Sequence, residues 1–228
     1  MHEGAEFDTI GIFWFDVHPN KNMRIRLVLP RLVSRLLSSL VLACLVLLCL
    51  PAFAEDVPEA LRPPKGAQVA IVVFEDMQCP QCSRVAPLLE QASRTYKIPL
   101  VQHDFPLPAH NWSFEAAVLA RYFDTHSKEV GNAFREAVFA HQLEITPQNL
   151  QQFAAKFATD NKIALPFVVD PEGKLAGLVR ADKDVGVSLH IVHTPTIWVV
   201  SSKHTGRPYV EVTDTSQLYL MIDAMKKE

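Results

Sequence analysis

Cysteine is scarce in this chain, and nothing in the sequence would use it as scaffolding. There are four in 228 residues: Cys44, Cys49, Cys79 and Cys82. A second C-x-x-C is missing, and so is an H-x₃₋₅-H partner, so a closed four-ligand zinc site lacks half of its donors. His190 and His193, the one His pair near that spacing, are only three apart. A basic excess is also missing. The formal net charge is −3, which gives no electrostatic case for nucleic acid as a partner. Internal repeats and low-complexity tracts are absent, which excludes solenoid and fibrous architectures.

What is present fits one globular domain plus an N-terminal extra: 49% of residues are hydrophobic and 21% are charged. Arg24, Arg26, Arg31 and Arg35 precede the apolar run Leu36–Leu50, and Pro51-Ala52-Phe53-Ala54 follows. A basic stretch, an apolar stretch and an A-x-A site read as a secretory signal peptide over 23–54, cleaved after Ala54. Its alternative is a retained membrane anchor. Residues 1–22 carry Glu3, Glu6, Asp8 and Asp16, which do not belong in such a segment, so Met23 reads as the true start. Cleavage removes Cys44 and Cys49. An exported chain whose remaining cysteines form a single C-x-x-C has no disulfide framework, and a bridge closing so small a loop adds little through chain entropy. That usage points to chemistry and to a periplasmic or other extracytoplasmic location.

The pair is Cys79-Pro80-Gln81-Cys82, preceded by the apolar run Val69–Phe74 and followed by a helical pattern from Ser83 to Lys97. Two cysteines three apart at a helix start lie about one turn apart, so their sulfurs can meet. Pro80 falls at the first helical position, where its fixed φ suits the turn. Cys79 then sits where unpaired backbone N–H groups and the helix dipole favour an anion, which makes it the expected nucleophile. Cys82, one turn deeper, is the expected resolving thiol. The competing readings are half of a metal site and two inert core thiols.

Around this pair the chain orders itself. Residues 55–66 read as an exposed leader and 67–228 as the folded domain. Val69–Phe74 is apolar without alternation, as in a strand buried on both faces. Pro80–Lys97 is an amphipathic helix that Pro87 should bend. Leu100–Phe105 is a second strand. Ser113–Ser127, Lys128–Gln142, a helix opened by Thr146 and Pro147, and one opened by Asp170 and Pro171 form a helical block within 111–190. Thr196–Val200 and Tyr209–Val212 resume the sheet as an antiparallel pair about a turn at His204, Thr205 and Gly206. Thr215–Lys227 closes as an amphipathic helix. Trp112, Phe123 and Trp198 are expected in the core. The fold class is α/β, with helices on both faces of a sheet.

Three pieces carry a family resemblance: Phe74-Glu75-Asp76-Met77-Gln78-Cys79-Pro80-Gln81-Cys82, His103-Asp104-Phe105-Pro106-Leu107-Pro108, and Val192-His193-Thr194-Pro195-Thr196. In these the sequence resembles the DsbA-like branch of the thioredoxin superfamily. The resemblance implies a thioredoxin fold with a helical insertion between the second and third strands. It implies a cis Thr194–Pro195 bond facing the cysteines, with Thr194, Pro195 and His193 in a substrate-binding loop, and thiol–disulfide oxidoreductase activity. Clients would be cysteine-bearing secreted or periplasmic proteins, and a membrane oxidoreductase would recycle the pair. No cofactor beyond the Cys79–Cys82 disulfide is implied. With no dimerisation domain in the chain, a monomer is expected, and oxidase is favoured over reductase or isomerase.

Relatives often carry a buried acid six residues before the first cysteine, where this chain has Val73. Glu75 and Asp76 stand nearer the motif, either as a proton relay to Cys82 or as a solvated pair in a loop; the solvated reading is favoured for Glu75, and Asp76 is also a candidate tuning residue. Gln81, inside the box, should face solvent and tune the thiolate, together with Pro80. His193 is either a redox-tuning partner or a surface residue. Together with Cys79 and Cys82 it also gives the competing copper- or metal-binding reading. A third reading is a non-catalytic client-binding module. His103 and Asp104 read as structural.

Overall fold

The computed structural model describes residues 57–203 and 206–227. The 1–22 extension, the 23–54 signal segment, and His204 and Thr205 of the expected turn lie outside the described residues. In chain order the elements are β1 (Val69–Glu75), α1 (Pro80–Tyr96), β2 (Leu100–Asp104), α2 (Ser113–Asp124), α3 (Lys128–Ala140), α4 (Leu150–Asp160), α5 (Lys174–Ser188), β3 (Thr196–Ser201), β4 (Tyr209–Glu211) and α6 (Leu218–Lys226). This is the expected thioredoxin arrangement, with α2–α5 inserted between the second and third strands.

The four strands form one sheet in the order β2-β1-β3-β4. β1 pairs parallel with β2, from Ile71 opposite Leu100 to Glu75 opposite Asp104. It pairs antiparallel with β3, from Val69 opposite Ser201 to Phe74 opposite Thr196, and β3 pairs antiparallel with β4. All seven residues of β1 are buried. Period-two geometry explains why no alternation is visible there. Val69, Ile71 and Val73 pack with Val85 and Leu89 of α1 and with Leu218 and Ile222 of α6. Ala70, Val72 and Phe74 pack on the other face with Phe105, Ile191 and Trp198. Gly186 of α5 lets that helix close on this second layer, because a Cβ there would sit 2.5 Å from the Phe105 ring. Trp112, Phe123 and Trp198 are all buried.

Three details differ from the sequence expectation. The 55–66 leader is not wholly exposed: Glu59–Leu61 forms a short 3₁₀ turn, and Leu61, 3% exposed, packs against the second layer. α4 starts at Leu150 rather than behind Thr146, because Asn149 closes a turn first. Its Oδ1 accepts from the Thr146 N–H at 2.7 Å, and the N–H groups of Asn149 and Leu150 both donate to the Thr146 carbonyl. α5 likewise starts at Lys174, after Gly173 at φ 69°, although Asp170 still serves it by accepting from the Ala176 N–H at 2.8 Å.

Charged side chains tie the insert to the sheet. Arg121 of α2 bridges Asp104 at the end of β2 and Asp182 of α5. Asp182 also holds His103 at 2.9 Å and the Asp104 N–H at 3.0 Å. His103 stacks on Phe74 at 4.5 Å between ring centroids, so His103 and Asp104 act in packing and anchoring. Arg135 of α3 pairs in a two-point fork with Asp124, both contacts at 2.9 Å.

Candidate active site

The candidate site forms where β1 ends and α1 begins. After Glu75 the chain turns through Asp76, Met77 and Gln78. The Cys79 N–H closes that turn on the Asp76 carbonyl at 3.0 Å. Cys79 is the residue that caps α1, with extended backbone (φ −77°, ψ 120°), and Pro80 is the first helical residue. The Cys79 carbonyl already accepts from the Ser83 N–H at 3.2 Å. The sequence signal for a proline at the first position therefore matches the local structure.

Both Cys79 and Cys82 are free thiols and both are buried, at 6% and 1% exposure. Their environments differ in sign. Cys79 is lowered from 9.0 to about 5, first by the hydrogen bond from the Cys82 thiol and then, against the penalty of burial, by the Thr194 hydroxyl and the N–H groups of Cys82 and Gln81. The Thr194 hydroxyl is buried and has no other hydrogen-bond partner to satisfy it. As a neutral thiol, Cys79 Sγ donates to the Thr194 carbonyl at 3.3 Å, across 115 positions of sequence. Cys82 is pushed far up, by burial first, then by its bond to Cys79 and the nearby Glu75 charge. The Asp76 N–H, 3.5 Å from its sulfur, offsets only part of this.

The Thr194–Pro195 peptide is cis, and the Thr194 carbonyl meets the first cysteine. Pro80, Gln81, Thr194 and Pro195 all come together around Cys79. His193 does not: it is exposed, and its Nδ1 lies 3.2 Å from the Thr196 hydroxyl. Among the described residues no three His, Cys, Asp or Glu side chains are grouped to hold a metal, so the Cys79, Cys82 and His193 set of the metal reading is not assembled.

The two acids before the motif correct the sequence reading. Asp76 is buried, and its carboxylate is committed to the loop. Oδ1 accepts from the Gln78 N–H at 2.7 Å; Oδ2 accepts from the Leu107 N–H at 2.7 Å and meets His110 Nδ1 at 2.8 Å. Only its backbone N–H reaches Cys82. Glu75, expected in solvent, is the last residue of β1 and is 5% exposed. Burial raises it from 4.5 to about 7, against the attraction of Arg135 and a 3.1 Å hydrogen bond from Gln102. The buried acid that Val73 lacks is thus supplied two positions later.

Two further contributors carry no sequence signal. Gln142, in the turn after α3, donates to the carbonyls of Met77 at 2.8 Å and Cys79 at 3.1 Å. Ser83 donates to the Phe139 carbonyl at 3.0 Å. Together they fasten the first turn of α1 to the insert.

A groove of about 380 Å³ runs from this turn along α1. One wall is the α1 face of Gln81, Arg84, Val85 and Leu88, spaced at i, i+3, i+4 and i+7. Thr194, Pro195 and Ile197 form the second wall, and Val212, Thr213 and Thr215 the third.

Known proteins share this architecture. The α-DsbA1 of Wolbachia pipientis is 16% identical, with 75% of this chain and 93% of that one covered at a TM-score of 0.59. DsbA2 of Pseudomonas aeruginosa is 22% identical, with 76% and 97% covered at 0.53. ScsC of Proteus mirabilis, in a transitional conformation, is 19% identical, with 86% and 93% covered at 0.56. At these identities the likeness is one of fold. Among curated sequences, a protein called Na(+)/H(+) antiporter NhaA 3, from Salinispora tropica, is 25% identical over 158 residues. The match takes in 65% of this chain but only 22% of that much longer protein. The family described as Thioredoxin matches residues 64–214, well over half of the sequence, and the chain belongs to that family.

Proposed function

We propose that this protein is an exported thiol–disulfide oxidoreductase that passes the Cys79–Cys82 disulfide to cysteines of secreted chains. The observation that carries this reading is the opposed treatment of two adjacent thiols, one lowered to about 5 and the other raised. A client thiolate attacks Cys79 Sγ; the client–Cys79 bond forms, the Cys79–Cys82 bond breaks, and Cys82 leaves and takes up a proton. A second client thiolate then attacks the client sulfur of that mixed disulfide and releases Cys79 as a thiolate. Two electrons pass from the client to the pair, and a membrane oxidoreductase removes them. Glu75 is the neighbouring acid able to take and return the Cys82 proton. Thr194 and Pro195 line the place where the client chain lies.

Cys79 supports the oxidase direction. A thiol that is stable as a thiolate leaves readily and makes its disulfide oxidising. At about 5, Cys79 falls between the thioredoxin and DsbA values of roughly 7 and 3.5. Dithiol proteins of this type span about −270 to −120 mV. A redox titration, with insulin or model-peptide turnover by wild type and Cys79→Ser, tests both levels. A potential on the oxidising side of about −200 mV, with turnover lost in the variant, is expected. A potential near −270 mV assigns the reductase direction, and turnover that survives Cys79→Ser rejects the enzyme reading.

A further inference from the structure

The groove beside Cys79 carries one charge. Its walls are apolar at Val85, Leu88, Pro195, Ile197 and Val212 and carry hydroxyls at Thr194, Thr213 and Thr215. Arg84 is the single charged residue among the lining side chains, in a chain whose formal net charge is negative. Its Nε donates to Gln81 Oε1 at 3.0 Å, which pins the guanidinium to the variable residue of the motif. Among the described residues nothing pairs with the remaining N–H groups of that fork. Asp214, between Thr213 and Thr215 in the chain, has its Oδ1 occupied by the Ser216 N–H at 2.9 Å.

We propose that Arg84 makes this groove selective for client segments bearing a carboxylate close to the reacting cysteine. The inference rests on the exchange reading above and names its substrate class. A planar guanidinium held at one edge presents a fork that fits a carboxylate. The register follows from geometry. Arg84 lies five residues along α1 from Cys79, about 7–8 Å at the helical rise. An extended chain advances about 3.3 Å per residue, so a client segment joined at Cys79 brings its second neighbour alongside Arg84. The reacting step is unchanged: the client–Cys79 S–S bond forms as the Cys79–Cys82 bond breaks, and Cys82 takes the electron pair and then a proton. Arg84 acts on binding before that step, as a specificity-determining residue.

The test uses the oxidised protein and three single-cysteine peptides that differ only two residues to either side of the cysteine, with Glu, Gln or Lys there. The second-order rate of mixed-disulfide formation is measured for wild type, Arg84→Gln and Arg84→Lys. Ratios are taken within each protein, which cancels any change in Cys79 itself, and then compared between proteins, which cancels the effect of the peptide charge on its own thiol. At low salt the Glu-over-Lys ratio is expected to be about three- to fivefold larger for wild type than for Arg84→Gln, the size of an accessible ion pair. Arg84→Lys restores part of that margin, and high salt erases it. Equal ratios in wild type and Arg84→Gln overturn the inference while the exchange reading stands. A wild type that reacts with none of the three peptides removes the exchange reading instead.

Discussion

Compare the first turn of α1 with the turn beneath it. At the first, Cys79 faces the donors that a sulfur anion needs: the Cys82 thiol, the Thr194 hydroxyl and two N–H groups. At the second, Cys82 is 1% exposed, has one N–H at 3.5 Å and lies near a buried acid. Both sulfurs belong to one helix and one motif. The difference comes from what surrounds each, and residues outside the motif supply most of it: Thr194 from the loop before β3, Gln142 from the turn after α3, and Glu75 from the end of β1. Spacing alone brings two thiols together; the tertiary structure assigns them different tasks.

The largest test of this contrast is substitution. Cys79→Ser should lower exchange by at least about a thousandfold, as removal of a nucleophile does. Cys82→Ser should still attack an oxidised peptide and then accumulate a mixed disulfide at Cys79, visible by intact mass. The opposite pattern, with trapping in Cys79→Ser, reverses the assignment.

Stability against pH separates the two turns next. Glu75, raised from 4.5 to about 7, stays protonated in the folded state after the unfolded chain has lost its proton. Stability therefore falls between those values, by on the order of 3 kcal/mol. Cys79, lowered from 9.0 to about 5, works the other way: the folded state releases its proton first, and stability rises between about 5 and 9. Denaturant titrations should find the disulfide form weakening from pH 4.5 to 7 and then level. The dithiol form should stay nearly flat from 5 to 7 and strengthen from 7 to 9. Glu75→Gln should remove most of the falling limb, leaving the part due to Asp104 and Glu90, which burial also raises; an unchanged limb removes Glu75 as its source.

A smaller effect concerns the coupling of the sulfurs. Alkylation of Cys79 should titrate with a midpoint near 5. Cys82→Ala deletes the first of the stabilising donors and should move that midpoint up by about one unit, roughly tenfold less thiolate at a given pH below it. An unchanged midpoint would transfer the effect to Thr194 and the helix N–H groups. The smallest expected change is in Gln142→Ala, which leaves the Met77 and Cys79 carbonyls short of a donor. It should cost about 1–2 kcal/mol by chemical denaturation.

The motif, the strand–helix order, the position of the insert and the proximity of Thr194 to the thiols were legible because each has a local or family signature. Val69–Phe74 read correctly as doubly covered, since a strand packed on both faces shows no alternation. Glu75 was misread because its neighbours Asp76 and Gln78 resemble a turn, and burial of a carboxyl one residue earlier leaves no local trace. The carboxylate of Asp76 faces Leu107 and His110 instead of Cys82, a choice fixed by where the second loop passes. The starts of α4 and α5 were set three residues early. A hydroxyl followed by proline marks the onset of a turn as readily as that of a helix, and Asn149 and Gly173 decide which. Gln142 could not be found at all: its partners lie more than sixty positions away.

Among the described residues there is no third thiol. A protein that trades disulfides lives among half-bonded chains, and every spare cysteine on its own surface would be a wrong address for them. In the oxidase reading, the one bridge that the described residues can form among themselves is the one passed on to a client.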